Sequence, residues 1–403
     1  MAPPMKRTAH TLDAALRELQ VAQLRRTRTT IEAFPLPGDR ALVRVGDRTL
    51  VDFSSNDYLG LSRHPDAVHA MRESAALAGS GSGASHLVSG HGAEHERLEE
   101  ELAAFTQRER ALLFSTGYMA NLAIMSTLAG RGERVLLDRL SHASLLDGAL
   151  LSGATLKRYR HADAAAATEL LAEHPERTAV IATDGLFSMD GDLAPLPELA
   201  RAARAAQAWL IVDDAHGLGV IGAHGRGTLE LQGVGGDDVP VLMGTLGKAF
   251  GSFGAFVAGG SDLIEYLIQK ARPYIYTTAL PQPVAAASRA ALKLAQVEGW
   301  RRERLRTLIE RFRAHARQLQ VPLGASHSPI QPIVLGSETA VLAASQALQT
   351  CGFWVVAIRP PTVPKGSARL RVTLSAAHTE AQVDRLVEAL GFCCRHLAGK
   401  PAA

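Results

Sequence analysis

Val241-Leu242-Met243-Gly244-Thr245-Leu246-Gly247-Lys248-Ala249-Phe250-Gly251 sets a lysine among small residues directly after a compact apolar run. Lysine ordinarily rides on an exposed helix face. Here the run before it reads as a buried strand, and the glycines around it leave room for a bulky group beside the amine. A second segment repeats the design: Leu210-Ile211-Val212 delivers Asp213-Asp214-Ala215-His216-Gly217. Outward from these two, compact apolar runs recur at 111–114, 134–137, 178–182, 209–212, 240–243 and 255–258, most of them separated by Ala- and Leu-rich helical stretches. Runs apolar at every position and divided by helices are the pattern of strands buried on both faces of a largely parallel sheet. The fold class is therefore α/β, with helices on both sides of the sheet and sites at the carboxyl ends of the strands.

The flanks read differently. Over 11–29, Leu12, Ala15, Leu16, Leu19 and Leu24 recur at roughly helical spacing, predicting an amphipathic N-terminal helix. Segments 41–45 and 50–53 look like a small hairpin before the turn-rich Ser54-Ser55-Asn56-Asp57-Tyr58. A long Arg-rich helical region over 283–318, interrupted near Gly299, leads into shorter mixed elements at 330–335, 341–349, 353–358 and 369–374, which form a smaller α+β lobe. At 403 residues the chain exceeds what one core usually takes. The expected division is an N-terminal segment 1–50, a large domain 51–285 and a small C-terminal domain 286–403. No internal repeat is present, which excludes solenoids.

Hydrophobic residues make up 47% and charged residues 21%, enough apolar material for a large core. The net charge of +3 comes from 43 basic and 40 acidic residues that are mostly intermixed. Clusters such as Arg25-Arg26 or Arg301-Arg302 have acids nearby and read as solvated faces, so no nucleic-acid partner is expected. Cys351, Cys393 and Cys394 offer no disulfide framework, since adjacent cysteines rarely pair. Residues 1–7 lack the apolar stretch of a signal peptide, and no run approaches the roughly 18 apolar residues of a membrane span. A soluble cytoplasmic protein is the expectation, with no metal.

The candidate chemistry lies in the polar residues just past the strand ends. A desolvated lysine with a lowered pKa is the usual Schiff-base former, which makes Lys248 the candidate. An Asp at the end of 210–213 could cap the next helix, or its charge could keep a ring nitrogen protonated. Lysine for an imine and Asp213 for a pyridinium nitrogen are together the protein parts that pyridoxal 5'-phosphate requires. The phosphate needs a cradle, and Phe114-Ser115-Thr116-Gly117-Tyr118-Met119-Ala120-Asn121 puts small residues between a strand and a helix start, where backbone N–H groups favour an anion. Ordinary N-capping would use the same residues, and Thr245 could add a hydroxyl. His142, in Leu140-Ser141-His142-Ala143-Ser144, sits where a loop would leave the sheet and could stack on an aromatic cofactor. The glycine run 79–83 is no dinucleotide fingerprint, because no apolar strand leads into it and its spacing differs.

These stretches resemble the α-oxoamine synthases, fold-type I pyridoxal-phosphate enzymes that condense amino acids with acyl-CoA thioesters. The likeness runs from about 10 to 395. It is carried by Asn56-Asp57-Tyr58-Leu59-Gly60-Leu61, Gly81-Ser82-Gly83-Ala84-Ser85, Ser115-Thr116-Gly117-Tyr118, the segment from Asp184 to Asp192, Asp213-Asp214-Ala215-His216-Gly217 and Thr245-Leu246-Gly247-Lys248. The resemblance implies a large, mostly parallel seven-stranded sheet domain with a smaller C-terminal lobe, and a homodimer with shared active sites. It also implies roles. Lys248 would carry the cofactor, Asp213 would face its ring nitrogen, His142 would stack on the ring and His216 would bond its phenolic oxygen. Ser188 would contact it, and Gly117, Tyr118 and Thr245 would cradle the phosphate with Thr277 or Thr278 of a second subunit. Arg359 would bind the amino-acid carboxylate, Asn56 would line the site, and Arg25 or Arg26 would meet the acyl substrate. Asp184 stands where many relatives carry Glu, and His86 where many carry Arg. The segments 358–364, 368–371 and 141–145 look most like the branch joining L-alanine to a pimeloyl thioester, carried on coenzyme A or on acyl carrier protein. The alternative is a sibling branch, grouped as glycine-using: 2-amino-3-ketobutyrate ligase, 5-aminolevulinate synthase or serine palmitoyltransferase.

Overall fold

The computed structural model describes residues 12–32 and 41–397. A hairpin of β1 (Leu42–Val45) and β2 (Arg48–Asp52) comes first. After it come β3 (Arg110–Phe114), β4 (Arg134–Asp138), β5 (Thr155–Tyr159), β6 (Ala179–Asp184), β7 (Trp209–Asp213), β8 (Val241–Thr245) and β9 (Ala255–Gly259). These seven make one sheet in the order β3-β9-β8-β7-β6-β4-β5. Neighbours pair in parallel except around β9, which runs antiparallel to both β3 and β8. The α/β class and the mostly parallel sheet expected from the sequence are both present.

The unbroken apolar runs have a direct cause, since β4, β6 and β9 are buried at every position. Val135 and Leu137 belong to one apolar layer with Ile124 and Leu145 of helices Gly117–Leu128 and Ala143–Ser152, a layer that Ile264 and Leu267 of helix Ser261–Lys270 extend over β3 and β9. Leu136 between them faces the other side, with Leu171, Leu199 and Ala203 of helices Ala164–Ala172 and Leu196–Ala205. One apolar layer on each face is what a βαβ sheet must bury. β5, unlike the opposite edge strand β3, has no apolar signature: Thr155, Lys157 and Arg158 are exposed and only Tyr159 is buried.

The small lobe contains β10 (Ile330–Gly336), β11 (Phe353–Trp354), β12 (Ala357–Ile358) and β13 (Ala368–Thr373), with antiparallel order β10-β13-β12. Two of the expected domain boundaries fall inside elements. Position 50 lies within β2, which pairs in parallel with β11 through Val51↔Phe353, so the hairpin joins the small lobe. Phe53 continues the seam by stacking on His378 at 4.0 Å. Position 285 lies within the helix Gln282–Val297, which packs on the helices Pro65–Ala78 and Ala93–Thr106 of the large domain. The helix break near Gly299 is present, with Trp300–Gln318 following.

The N-terminal helix is shorter than predicted, Leu12–Val21, and the chain turns out of it at Gln23, where φ is +56°. Thr11 and the chain ends lie outside the described residues. Leu12, Leu16 and Leu19 form its exposed stripe. Among the described residues, no helix is long and apolar enough to cross a membrane.

Candidate active site

Parallel strands present all their carboxyl ends on one edge of the sheet. There β6 ends at Asp184, β7 at Asp213 and β8 at Thr245, with His142 in the loop after β4 and Lys248 in the loop after β8. They surround a cavity of about 180 Å³, whose lining includes Gly117, Tyr118, His142, Asp213, His216, Thr245 and Lys248. Seven residues singled out from scattered stretches of sequence therefore meet in one place. A larger groove, about 800 Å³, lies over the helices Pro65–Ala78, Ala93–Thr106 and Gln282–Val297. Its charged residues are engaged in surface pairs such as Arg289 with Glu94 and Glu101, and none of the cavity's acid–base groups faces it.

Lys248 Nζ lies 2.7 Å from His216 Nε2. Burial pushes the amine down to about 8, with Arg371 adding to the shift and Asp213 opposing it. An amine lowered this far has a far larger unprotonated fraction near neutral pH than an ordinary lysine, and that fraction can act as nucleophile and as base. His216 is lowered well below the ordinary histidine range by burial first, then by Lys248 and Arg371. Its Nδ1 lies 2.6 Å from Tyr58 Oη, which also faces Asn56 Oδ1 at 3.3 Å. Arg371 can only donate, and it does so to Asn56 Oδ1 at 3.1 Å and through Nε to the Ser188 carbonyl at 2.7 Å. Asn56 and Ser188 thus stand in the shell behind His216 and do not line the cavity.

Asp213 is fixed on both oxygens. Oδ2 accepts from Asn121 Nδ2 at 2.7 Å and Oδ1 from the Ala215 N–H at 3.0 Å. Asn121 Nδ2 also donates to Ser144 Oγ at 2.9 Å. Having accepted that bond, Ser144 can give its proton to His142 Nδ1, 2.7 Å away, and its own N–H also points there. Nδ1 of His142 is therefore an acceptor and the ring proton sits on Nε2. Burial lowers the His142 pKa, Lys248 adds to this, and Asp213 opposes it. Asp184 accepts the His142 backbone N–H at 2.9 Å, so the shorter side chain still reaches this loop. Burial first, and the Asp213 charge second, raise the Asp184 pKa well above the usual carboxylate range.

Three expected residues gather elsewhere. Arg359 donates to the Gln23 carbonyl, and Arg26 Nη2 donates to Thr362 Oγ1 at 2.9 Å, tying the segment after the N-terminal helix to the loop after β12. Neither they nor Arg25 line the Lys248 cavity. Thr277 and Thr278 come just after the short helix Arg272–Ile275, and Thr278 bridges to Ser85. They too are absent from the cavity of their own chain. Sequence reasoning assigns no role to Asn121, Tyr58, Ser144 or Arg371. Asn121 has a readable signal, since it lies one helical turn after Gly117 in a stretch that reads as an anion site.

Pyridoxal phosphate suits these residues. Asp213 offers an anchored carboxylate, Gly117 opens a helix capped by Thr116, and Lys248 is a desolvated amine between them. Buried Asn121 Oδ1 at the cavity wall has no hydrogen-bond partner. A fold and site of this kind define a pyridoxal-phosphate enzyme, and the chain belongs to the aminotransferase class I and II family, whose model matches residues 48–390. More particularly, it is 59% identical over 377 residues to the 8-amino-7-oxononanoate synthase of Methylococcus capsulatus, covering 94% of this chain and 96% of that one. A serine palmitoyltransferase from S. paucimobilis, with a PLP–myriocin aldimine bound, superposes with a TM-score of 0.91 at 30% identity over 97% of this chain and 99% of its own. The 8-amino-7-oxononanoate synthase of Francisella tularensis superposes with a TM-score of 0.75 at 33% identity, covering 86% and 98%.

Proposed function

We propose that this chain joins L-alanine to a pimeloyl thioester with loss of carbon dioxide, giving 8-amino-7-oxononanoate for biotin synthesis. The observation that carries the reading is the meeting of Lys248, Asp213, His142 and His216 in one cavity, in a chain 59% identical to an enzyme of that name. Pyridoxal phosphate supplies the electron sink that makes a carbanion at the amino acid's Cα accessible.

The chain's own residues do the rest. Lys248 would hold the cofactor covalently, and its lowered pKa suits the amine, once free, to removing the Cα proton. Asp213, held by Asn121, would keep the cofactor's ring nitrogen protonated. His142, with its proton on Nε2, would lie against the cofactor ring, and His216 would offer Nε2 to its phenolic oxygen. Arg359 would take the amino-acid carboxylate and so orient the bond that breaks, which requires it to leave the Gln23 carbonyl and turn toward the cavity. The Cα carbon attacks the thioester carbonyl and the thiol leaves as coenzyme A or as the carrier protein's thiol. The β-keto acid then loses carbon dioxide, and Lys248 returns a proton to Cα. Arg25 or Arg26 contacts the acyl substrate. Thr277 and Thr278 complete the phosphate site of a second subunit, and the exposed Leu12, Leu16 and Leu19 stripe supports a C₂ homodimer. The cytoplasm is the compartment that suits these substrates and three free cysteines.

The test is product analysis by mass spectrometry with pimeloyl-CoA and each of L-alanine, glycine and L-serine. 8-Amino-7-oxononanoate from alanine alone is the expected outcome. Turnover confined to glycine, or to serine with palmitoyl-CoA, would move the enzyme to a sibling branch. Serine belongs in the assay because the superposition on serine palmitoyltransferase is the more complete of the two.

A further inference from the structure

Away from the cavity, three imidazoles stand together where the helix Ala93–Thr106 begins. His86 opens the π-helical turn His86–Gly90, His91 comes just after it, and His95 lies in the first turn of the helix. One nitrogen of each lies within 4.8 Å of the others. Each ring can offer one nitrogen lone pair to a cation.

The hydrogen bonds assign those lone pairs. His91 Nε2 lies 3.0 Å from Glu96 Oε2, so the proton of His91 belongs on Nε2 and its lone pair on Nδ1. That Nδ1 faces His86 Nδ1 at 2.8 Å. A histidine that gives one N–H to a carboxylate and offers the other nitrogen is arranged as metal-bound histidines are, because the carboxylate fixes the ring and raises its basicity. Two nitrogens on one tetrahedral zinc stand about 3.3 Å apart, so a small separation of the rings admits an ion in place of the shared proton. His95 Nδ1 now accepts the Gly92 N–H at 2.9 Å and would exchange that bond for the ion.

The loop is shaped in advance. His86 stacks on Tyr274 at 5.0 Å and 11°. A Cβ on Gly90 would stand 2.1 Å from the Ala84 carbonyl oxygen, and one on Gly92 2.3 Å from the Gln282 side chain. Gly90 lets the backbone pass against the Ala84 carbonyl where no side chain fits, and the loop so formed sets the His86 and His91 rings at 54° to each other with their centroids 5.1 Å apart.

We propose that His86, His91 and His95 bind one divalent transition ion of the zinc class, with Glu96 orienting His91. Imidazole ligands select zinc, nickel or cobalt over magnesium and calcium. The site adjoins the chain near Thr277 and Thr278: Ser85 bridges to Thr278, the Ala279 N–H donates to the Ala84 carbonyl, and His95 Nε2 meets the Leu280 carbonyl. A bound ion would stiffen that segment.

The test uses the untagged full chain loaded with pyridoxal phosphate, dialysed against chelator and titrated calorimetrically with Zn²⁺ and Ni²⁺. One ion per chain at micromolar affinity is expected. His86→Ala and His91→Ala should each weaken binding by more than about tenfold, and Glu96→Gln by about tenfold. His327→Ala, at an exposed position elsewhere, should bind as the parent does. Cofactor absorbance and melting temperature verify that the variants are folded. Absence of binding up to millimolar ion, or parent-like binding by the His86→Ala/His91→Ala double variant, would overturn the proposal.

Discussion

The Lys248 cavity and the arginine group at 25, 26 and 359 are made of different material. Cavity residues sit at or just after strand ends of a sheet buried on both faces, and their side chains are locked to one another, Asp213 by Asn121 and His216 by Tyr58. The arginines sit on the chain after an exposed helix and on a loop of the small lobe, and their bonds run to one another's segments. Reaction chemistry needs fixed geometry, which the sheet supplies. Choice of substrate tolerates adjustment, which peripheral segments supply.

That contrast predicts a graded set of effects. Lys248→Ala should lower turnover by at least about four orders of magnitude and abolish the lysine–cofactor absorption band, read by product assay and visible spectrum. Asp213→Ala should cost roughly a hundred- to a thousandfold in kcat while Lys248 still takes up cofactor. Tyr58→Phe leaves His216 Nδ1 without its partner. A loss of about tenfold in kcat is expected, together with a moved pH profile, which a merely structural role would leave in place. Arg359→Ala should raise KM for the amino acid about tenfold and leave the cofactor spectrum intact. An altered spectrum there would erase the distinction between the two regions.

The smallest effect is one of pH. Only the unprotonated amine captures cofactor, so uptake by the cofactor-free protein should rise through about pH 8 and then level, where an ordinary lysine would climb toward 10.5. The sign for stability is the same. Between about 8 and 10.5 the unfolded chain binds a proton at Lys248 that the folded chain does not, so the cofactor-free fold gains stability as pH rises through that window. Thermal melts across it check the direction.

The sequence is legible where neighbours along the chain are neighbours in space. Strand, turn and candidate site residue come in succession at Asp213 and Lys248, so the apolar run announces the cavity. Tyr58 and Arg371 are silent because their work depends on contacts between the lobes, with Arg371 and Asn56 315 positions apart. Asn121 is visible as a residue but not as a partner of Asp213, because helix rotation decides which way it points. β5 lacks a signal because only Tyr159 of its residues is buried, whereas the opposite edge strand β3 is covered and legible. The N-terminal helix is overestimated because apolar spacing carries no mark for the turn at Gln23.

The parallel pairing of β2 with β11 bears on how the molecule is made. Residues 51–54 find partners about 300 positions later, so on the ribosome the hairpin waits until nearly the whole chain has emerged. The sheet and its helices can assemble long before, since their strands all lie between 110 and 259. Closing so long a loop costs little more entropy than closing a shorter one, but it comes late. During that interval the Lys248 amine stands in a domain whose back wall, Arg371, has yet to be synthesised. The order of synthesis therefore makes completion of the cavity's rear a final event, coupled to the last strand of the small lobe.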